Sequence, residues 1–403
     1  MQDMEANRQP TGPRVLDDVR VLDFTAVIAG SYCTRMMADL GAEVLKVEGP
    51  GGEILRHAGP LRNQASALFS SINCGKRSLS LDLKKPAAID ICKRLVESHD
   101  VVVENYSPGV MQRLGLDYES LRAVNPRLVM CSISGYGQTG PEAGRPAYAP
   151  IVQATSGFEA LYKSTQGDRD RPLNMGPPVA DTAAGQQAFG AVMAALYYRE
   201  RSGIGQYIDI AMQDTLLSTM HKDFQIAMLD DANDRHYGPL QAQDGFVIVV
   251  PLNQHHFESL MACIERPDLH EDERFASLSA RIVNYDALQS EVEKWTMTQT
   301  CEQALTAFEA RKLPSARYRS FPDLADDPQL LHRDMLTEVV DEAGPLLVPN
   351  SPFLFSHTHA AIGKSVSAIG EHNRVTLSDY LDFSANEIAA LEADGTLGPA
   401  KST

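Results

Sequence analysis

The sequence predicts an α/β protein: a parallel sheet with helices on its faces, and a smaller second domain. Three observations carry that prediction. From residue 14 onward, short apolar runs alternate with segments of helical period, which is the pattern that strand–helix–strand crossovers produce. The longest helical pattern follows Asp181 and stops at Gly203. Near residue 231 the segments become more polar, and the first character returns at about residue 326.

The elements follow in order. "VRVLDFT" (19–25) reads as a strand, "GSYCTRMMADLG" (30–41) as a helix with Met36, Met37 and Leu40 on one side, and "AEVLKVE" (42–48) as the next strand. The unit recurs with a strand over 77–83, a helix over 86–99 and a strand over 100–106. Helices near 108–114 and 117–124 and the strand 127–134 come next. After Asp181, "TAAGQQAFGAVMAALYYRERSG" places Phe189, Val192, Met193 and Leu196 at helical spacing, with Gly203 as the stop. "GQYIDIAM" (205–212) is a further strand, followed by a helix to about Asp230. The domain plan is therefore 1–230 for the first part of a large domain, 231–325 for a small domain, and 326–403 for a return to the large one. The small domain holds a strand over 244–251 and helices over 255–265, 284–297 and 301–310, and the tail from Ala393 is expected to fray. Ligands of such sheets sit beyond the carboxyl ends of the strands, here Phe24 to Ala29, Val47 to Pro50, Glu104 to Ser107 and Ser134 to Gly137.

Composition narrows the function classes. The formal charge of -17 argues against general affinity for nucleic acid or an anionic membrane. Six cysteines without any C-x-x-C point away from a zinc cage or redox pair and toward free thiols in a reducing compartment. The N-terminus lacks a basic start followed by an apolar run, and no stretch of ~20 apolar residues occurs. The expectation is a soluble, cytoplasmic protein. His255-His256 and His357-x-His359 lack companion ligands at metal spacing, so no metal is expected. No G-x-S-x-G elbow is present either.

"GYGQTG" (135–140) fits the glycine pattern of a dinucleotide loop, but that loop works only when a helix starts on the glycines. "PEAGRPAYAP" follows instead, with Pro141, Pro146 and Pro150, and the sequence argues that no helix starts there. A strand-ending turn is the better reading. In "NMGPPVADTAAGQQAFG", Asp181 stands directly before a helical run, where aspartate is a favoured N-cap. A carboxylate so placed is held as the anion by the helix dipole and is available as a nucleophile. Gly176, Pro177, Pro178 and Gly185 suggest a tightly shaped approach. Lys76 and Arg77, together with Asn105, Tyr106 and Arg113, are local basic and aromatic groups able to hold a phosphate and stack a base. Taken singly, each cation is by default a solvated surface charge.

The motifs "VRVLDFTAVIAGSYCTRMMADLGAEVLKVEGPGGE", "NCGKRSLSLDLKKP", "DVVVENYSPGVMQRLGLDYESL", "NPRLVMCSISGYGQTGP", "MGPPVADTAAGQQAFGAVMAALYYRERSGIGQYIDIAMQD" and "LVPNSPFLFS" with "IGEHN" occur in this order. Together they resemble the class III CoA-transferase family, the group of formyl-CoA transferase, carnitine CoA-transferase and α-methylacyl-CoA racemase. The resemblance implies a Rossmann-like large domain built from both chain ends, an inserted smaller α+β domain and an interlocked homodimer. It implies coenzyme A as acyl carrier, an acyl-CoA donor and a carboxylic acid acceptor, with Asp181 attacking the thioester and passing through an aspartyl-CoA thioester. It also places Val27, Ile28, Ala29, Asn73, Cys74, Gly75, Lys76, Asn105, Tyr106, Ser107, Arg113 and Arg145 around CoA, the last of these opening its segment. Lys76, Arg113 and Arg145 would supply cationic contacts and Tyr106 a face for adenine.

The chain departs from the family at three places. Racemases use a histidine in the loop after "GYGQ", where this chain has Arg145, and arginine does not carry protons at neutral pH. Racemisation is therefore the runner-up, with a non-catalytic acyl-CoA-binding protein as the alternative from another class. The stretch "RHYGPLQAQDG" holds only Gly238 before the next strand, where formyl-CoA transferase has a glycine-rich lid. Gly49 stands where a basic residue is expected after "KVE".

Overall fold

The strand–helix alternation folds as a wound sheet. Its elements are β1 (Arg20–Phe24), α1 (Ala29–Asp39), β2 (Glu43–Glu48), β3 (Arg77–Ser80), α2 (Pro86–Val96), β4 (Val101–Glu104), β5 (Val129–Ser134), α3 (Val179–Ser202) and β6 (Tyr207–Ala211). The computed structural model describes residues 12–164, 170–172, 174–229 and 236–399. The N-terminal stretch to residue 11, Asp230, Arg235 of the 235–245 segment and the end of the tail at 400–403 lie outside the described residues. The six strands are all parallel, in the order β3-β2-β1-β4-β5-β6. This is the doubly wound order whose direction reverses between β1 and β4, and that reversal opens a crevice at the strands' carboxyl ends.

The central strands are apolar on both sides because helices cover both faces. Val21, Val44, Val101 and Val103 join the core under α1 and α3, whereas Leu22, Leu45, Val102 and Met130 join the core under α2. The period of two then places Asp23 and Lys46, in line with Val21 and Val44, inside the α1 side of the sheet.

Two compact units divide the chain, Met1–Met220 with Leu331–Thr403, and His221–Leu330. The sequence puts these breaks at 230/231 and 325/326. Within the second unit, β7 (Leu240–Ala242), β8 (Gly245–Val249) and β9 (Ser315–Arg317) form an antiparallel sheet with β8 in the middle. Helices α4 (Gln254–Cys263), α5 (Tyr285–Thr296) and α6 (Cys301–Ala310) share one core with it through Val247, Phe257, Leu260, Val292 and Phe308.

Several elements differ from expectation. A helix does start inside "PEAGRPAYAP", over Ala149–Thr155, because Pro150 falls in its first turn, where a missing amide hydrogen costs nothing. It begins well past the glycines, so the turn remains a turn. Its Gly137 has φ +87 and the Gln138 amide donates to Asp209 on β6 at 2.9 Å. The strand expected over 77–83 stops at Ser80 and is preceded by a helix over Ala67–Asn73.

The inner face of α3 keeps only part of the expected stripe, Val192 and Leu196. Ala180, Ala184, Ala188, Val192, Ala195 and Leu196 are buried, while Phe189 and Met193 are half-buried at its edge. Alanines at helical spacing let α3 lie close against α1.

The C-terminal part adds a hairpin, β10 (Leu336–Asp341) with β11 (Gly344–Pro349), and the helices α7 (Asn373–Leu381) and α8 (Ala385–Ala393). The described part of the tail does not fray. Leu397 is buried and bridges Leu81, and the Gly398 amide donates to the Ser80 carbonyl at 3.1 Å. Among the described residues, no helix is long and apolar enough to cross a membrane.

Candidate functional site

The crevice between β1 and β4 is closed at its base by Asn105. Its side chain accepts from the Ala26 amide and donates to the Ala26 carbonyl, both at 2.8 Å, joining the turn after β1 to the turn after β4. The sequence reading placed Asn105 against CoA; the structure spends both ends of its amide on this clamp. Above the clamp, the first bond of α1 runs from the Tyr32 amide to the Ile28 carbonyl at 2.8 Å, and no side chain caps the helix. The amides of residues 29–31 therefore have no partner within the helix and carry its positive dipole end. Val27 and Ile28 are half-buried and Ala29 is buried at this edge.

Asp181 reaches the same region through helix packing. The prolines at 177 and 178 cannot continue a helix backwards, so α3 starts at Val179 with Pro178 as its N-cap. Asp181 is thus the third residue of the helix rather than its cap, which corrects the sequence reading. Gly185, one turn further along the same face, presses on α1: a Cβ there would lie 2.6 Å from the Ala29 carbonyl oxygen and 3.3 Å from Tyr32. Asp181 is half-buried, and among the described residues no hydrogen bond or ion pair reaches its carboxylate. Burial pushes the Asp181 carboxyl up to about 6. The expected stabilisation of the anion by the helix terminus is therefore outweighed by loss of water. At neutral pH the group is still about nine-tenths ionised, and its lone pairs are not engaged.

The segment 73–76 is turned inward. Asn73, Cys74 and Lys76 are buried, with Asn73 2% and Lys76 4% exposed. The Lys76 ammonium donates to Asp23 at 3.0 Å, to the Ser31 carbonyl at 2.9 Å and to Asn73 at 2.8 Å. An ammonium has three donors, and all three are used inside the unit. Lys76 is therefore not a free cation for a phosphate, contrary to the sequence reading. Burial lowers its pKa to about 8, opposed by Asp23, while Asp23 is held well below the carboxylate range because Lys46 and Lys76 overcome its burial. Gly75 is exposed and has φ +80, with Gly363 packed so close that a Cβ would meet its backbone at 3.0 Å.

The remaining predicted residues separate into two groups. Ser107 and Arg113 are exposed beyond β4, on the rim of the crevice. Arg113 lies in the short helix Val110–Leu114 between Gly109 (φ +83) and Gly115 (φ +68), and a Cβ at Gly109 would lie 3.3 Å from its guanidinium. Among the described residues its guanidinium has no hydrogen bond or ion pair, so it is a cation available to an anionic ligand. Tyr106 packs half-buried against the α2-side core, and burial pushes its hydroxyl up to about 12. Arg145 stands beyond β5, paired with Glu142 and lying 5.6 Å from the Tyr136 ring centroid.

Sequence reasoning missed Asp23, Lys46 and Glu53. For the first two the signal was present: a charged residue interrupts an apolar strand in "VLDF" and again in "VLKV", and such a residue inside a sheet demands a buried partner. Among the described residues no cluster of metal-binding side chains occurs.

Whole-chain comparisons identify the family to which this fold belongs. The profile of CoA-transferase family III matches residues 16–373. The chain is similar to succinyl-CoA:mesaconate CoA-transferase of Haloarcula hispanica, 35% identical over 90% of this chain and 96% of that protein. It is also similar to succinate–glutarate CoA-transferase of Agrobacterium fabrum, 33% identical over 94% and 98%. Among solved structures it is similar to Rv3272 from M. tuberculosis in an orthorhombic form, with a TM-score of 0.81 and 31% identity over 91% of this chain and 99% of that one. A wound parallel sheet, uncapped amides at its reversal point and similarity along nearly the full length lead to one conclusion: the chain is an enzyme of CoA-transferase family III.

Proposed function

We propose that the chain moves CoA from an acyl-CoA thioester to a carboxylic acid, with Asp181 as covalent nucleophile. The observation that carries the reading is the Asp181 carboxylate itself, with no hydrogen bond among the described residues, on the face of α3 that packs against the start of α1. A carboxylate with reduced access to water and no hydrogen bonds is a better nucleophile than a fully solvated one, and it needs no general base because it is already ionised.

One Asp181 oxygen attacks the thioester carbonyl and expels the CoA thiolate, leaving a mixed anhydride. The thiolate then attacks the Asp181 acyl carbon and expels the donor acid as its carboxylate. The acceptor carboxylate repeats the two displacements in reverse order, and Asp181 leaves as the free anion. Each step exchanges one acyl bond for another, so the activated acyl group is conserved if water is excluded.

The free amides of residues 29–31 and the Arg113 guanidinium supply positive potential for the phosphates of CoA. Val27, Ile28, Ala29, Ser107 and Arg113 form the CoA edge in this reading. Asn105 and Lys76 act behind it, and Arg145 is a candidate for the outer rim. Relatives named for succinyl-CoA, with mesaconate, glutarate or D-citramalate as partner, support a short dicarboxylate as the acid. We place the enzyme in the cytoplasm as a homodimer of the interlocked type. Six free, buried thiols support the first point. Exposed Tyr148, Tyr197, Tyr198 and Ile204 on the large unit support the second.

The decisive experiment is hydroxylamine trapping during turnover with succinyl-CoA and a dicarboxylate, followed by peptide mass analysis. An acylated Asp181 becomes a hydroxamate. Turnover without a hydroxamate at this residue, or full turnover by Asp181→Ala, would remove the proposal.

A further inference from the structure

The turn between β1 and α1 is held residue by residue from different parts of the large unit. Asp23 accepts from the amide and hydroxyl of Thr25 at 2.8 and 2.5 Å, and the Lys46 ammonium donates to the Thr25 carbonyl at 2.7 Å. Asn105 clamps Ala26. Glu53, in the segment after β2, accepts from the Val27 amide at 3.1 Å and faces Lys46 at 3.4 Å. Val27 itself has φ +60, a left-handed conformation that a β-branched residue adopts only when its surroundings impose it.

Glu53 is a costly residue for a simple brace. It is 8% exposed, and its second oxygen, Oε1, is buried without a hydrogen-bond partner among the described residues. Burial raises its carboxyl above the ordinary value even though Lys46 and Lys76 oppose the shift. An amide or an apolar side chain would fill the position without a half-satisfied buried charge. What the carboxylate adds is an ionic anchor on Lys46 and a strong acceptor for the amide of Val27, the left-handed residue of this turn. If Val27 relaxed to negative φ, the peptide joining it to Ile28 would rotate, and the amides at the start of α1 would point elsewhere.

We propose that Glu53 is a positioning residue for the CoA site, holding Val27 left-handed through its amide so that the first amides of α1 face the phosphates. This rests on the reading that residues 27–29 line that site. The test compares Glu53→Ala, Glu53→Gln and Glu53→Ala combined with Val27→Gly. It reads kcat, KM for succinyl-CoA and amide hydrogen exchange of the peptide spanning 25–33, with and without free CoA.

Glu53→Ala is expected to raise KM about tenfold with kcat within about threefold of wild type, and to speed exchange at the Val27 amide, which loses its acceptor. Glu53→Gln, which still offers an oxygen to the Val27 amide but gives up the ionic anchor on Lys46, should fall between wild type and Glu53→Ala in KM. Adding Val27→Gly to Glu53→Ala should recover about half or more of the lost KM effect on a logarithmic scale, because glycine holds φ +60 without strain. A purely structural brace would show no such recovery.

The proposal is overturned if folded Glu53→Ala keeps wild-type KM and exchange, or if glycine at 27 gives no rescue. Should Glu53→Ala not fold, Glu53→Met fills the same volume without an acceptor and carries the same expectations. If free CoA fails to slow exchange at 27–31 in the wild type, the CoA-site reading falls. Exchange in the unliganded chain then still decides whether Glu53 holds the turn.

Discussion

Replacing Asp181 by asparagine should abolish transfer and, at neutral pH, stabilise the protein. Both effects follow from one property, the burial that pushes the carboxyl from 3.8 up to about 6. In this range the folded chain holds the proton more tightly than the unfolded chain does. Wild-type stability therefore falls as pH rises from near 3.8 and levels off above about 6. The displacement corresponds to at most about 3 kcal/mol, and to about 1–2 kcal/mol once the partial access of water is allowed for. Asp181→Asn removes the charge at nearly constant shape. Its melting temperature should match wild type near pH 4 and exceed it by about 1–3 °C above pH 7. Calorimetric scans of both proteins from pH 4 to 8 measure this directly. In the wild type, kcat/KM should lose about tenfold per pH unit below about 6, because only the anion attacks. The variant should lose at least about a thousandfold in rate. A melting difference that is independent of pH, or that grows toward acid, would refute the reasoning about burial even if activity were lost.

Three further predictions concern the frame around the site. Lys76→Met strands Asp23 in the interior and should cost about 3–5 kcal/mol in denaturant unfolding, part of it recovered by adding Asp23→Asn. Unchanged stability together with a raised KM for CoA would instead make Lys76 a ligand. Gly185→Ala puts a methyl 2.6 Å from the Ala29 carbonyl oxygen. It should cost about 1–3 kcal/mol and lower turnover by shifting Asp181 against α1, whereas wild-type kcat and melting temperature would show that the two helices are not in register there. Leu397→Ala should destabilise by about 2–3 kcal/mol, the low end for a buried leucine because a chain end can settle into the gap; a frayed tail would show no change in thermal unfolding.

Local pattern was enough for the sheet and for the segment carrying Asp181. Strands and helices are written in periods of two and 3.6 residues, and the prolines and glycines around residues 176–185 announce a shaped helix start at short range. The sequence also carried a warning it could not resolve, the charges at Asp23 and Lys46 inside apolar strands. Which partner answers each charge is decided by strand order. Asp23 meets Lys76 across 53 positions, and Ala26 meets Asn105 across 79. For that reason Lys76 and Asn105, credible ligands when read locally, prove to be internal ties. The left-handed Val27, the alanine face of α3 and the raised Asp181 carboxyl likewise exist only once α1, α3 and the segment after β2 have packed together. Conformational preference is encoded in neighbouring residues, whereas burial, electrostatic environment and strain belong to the assembled interior.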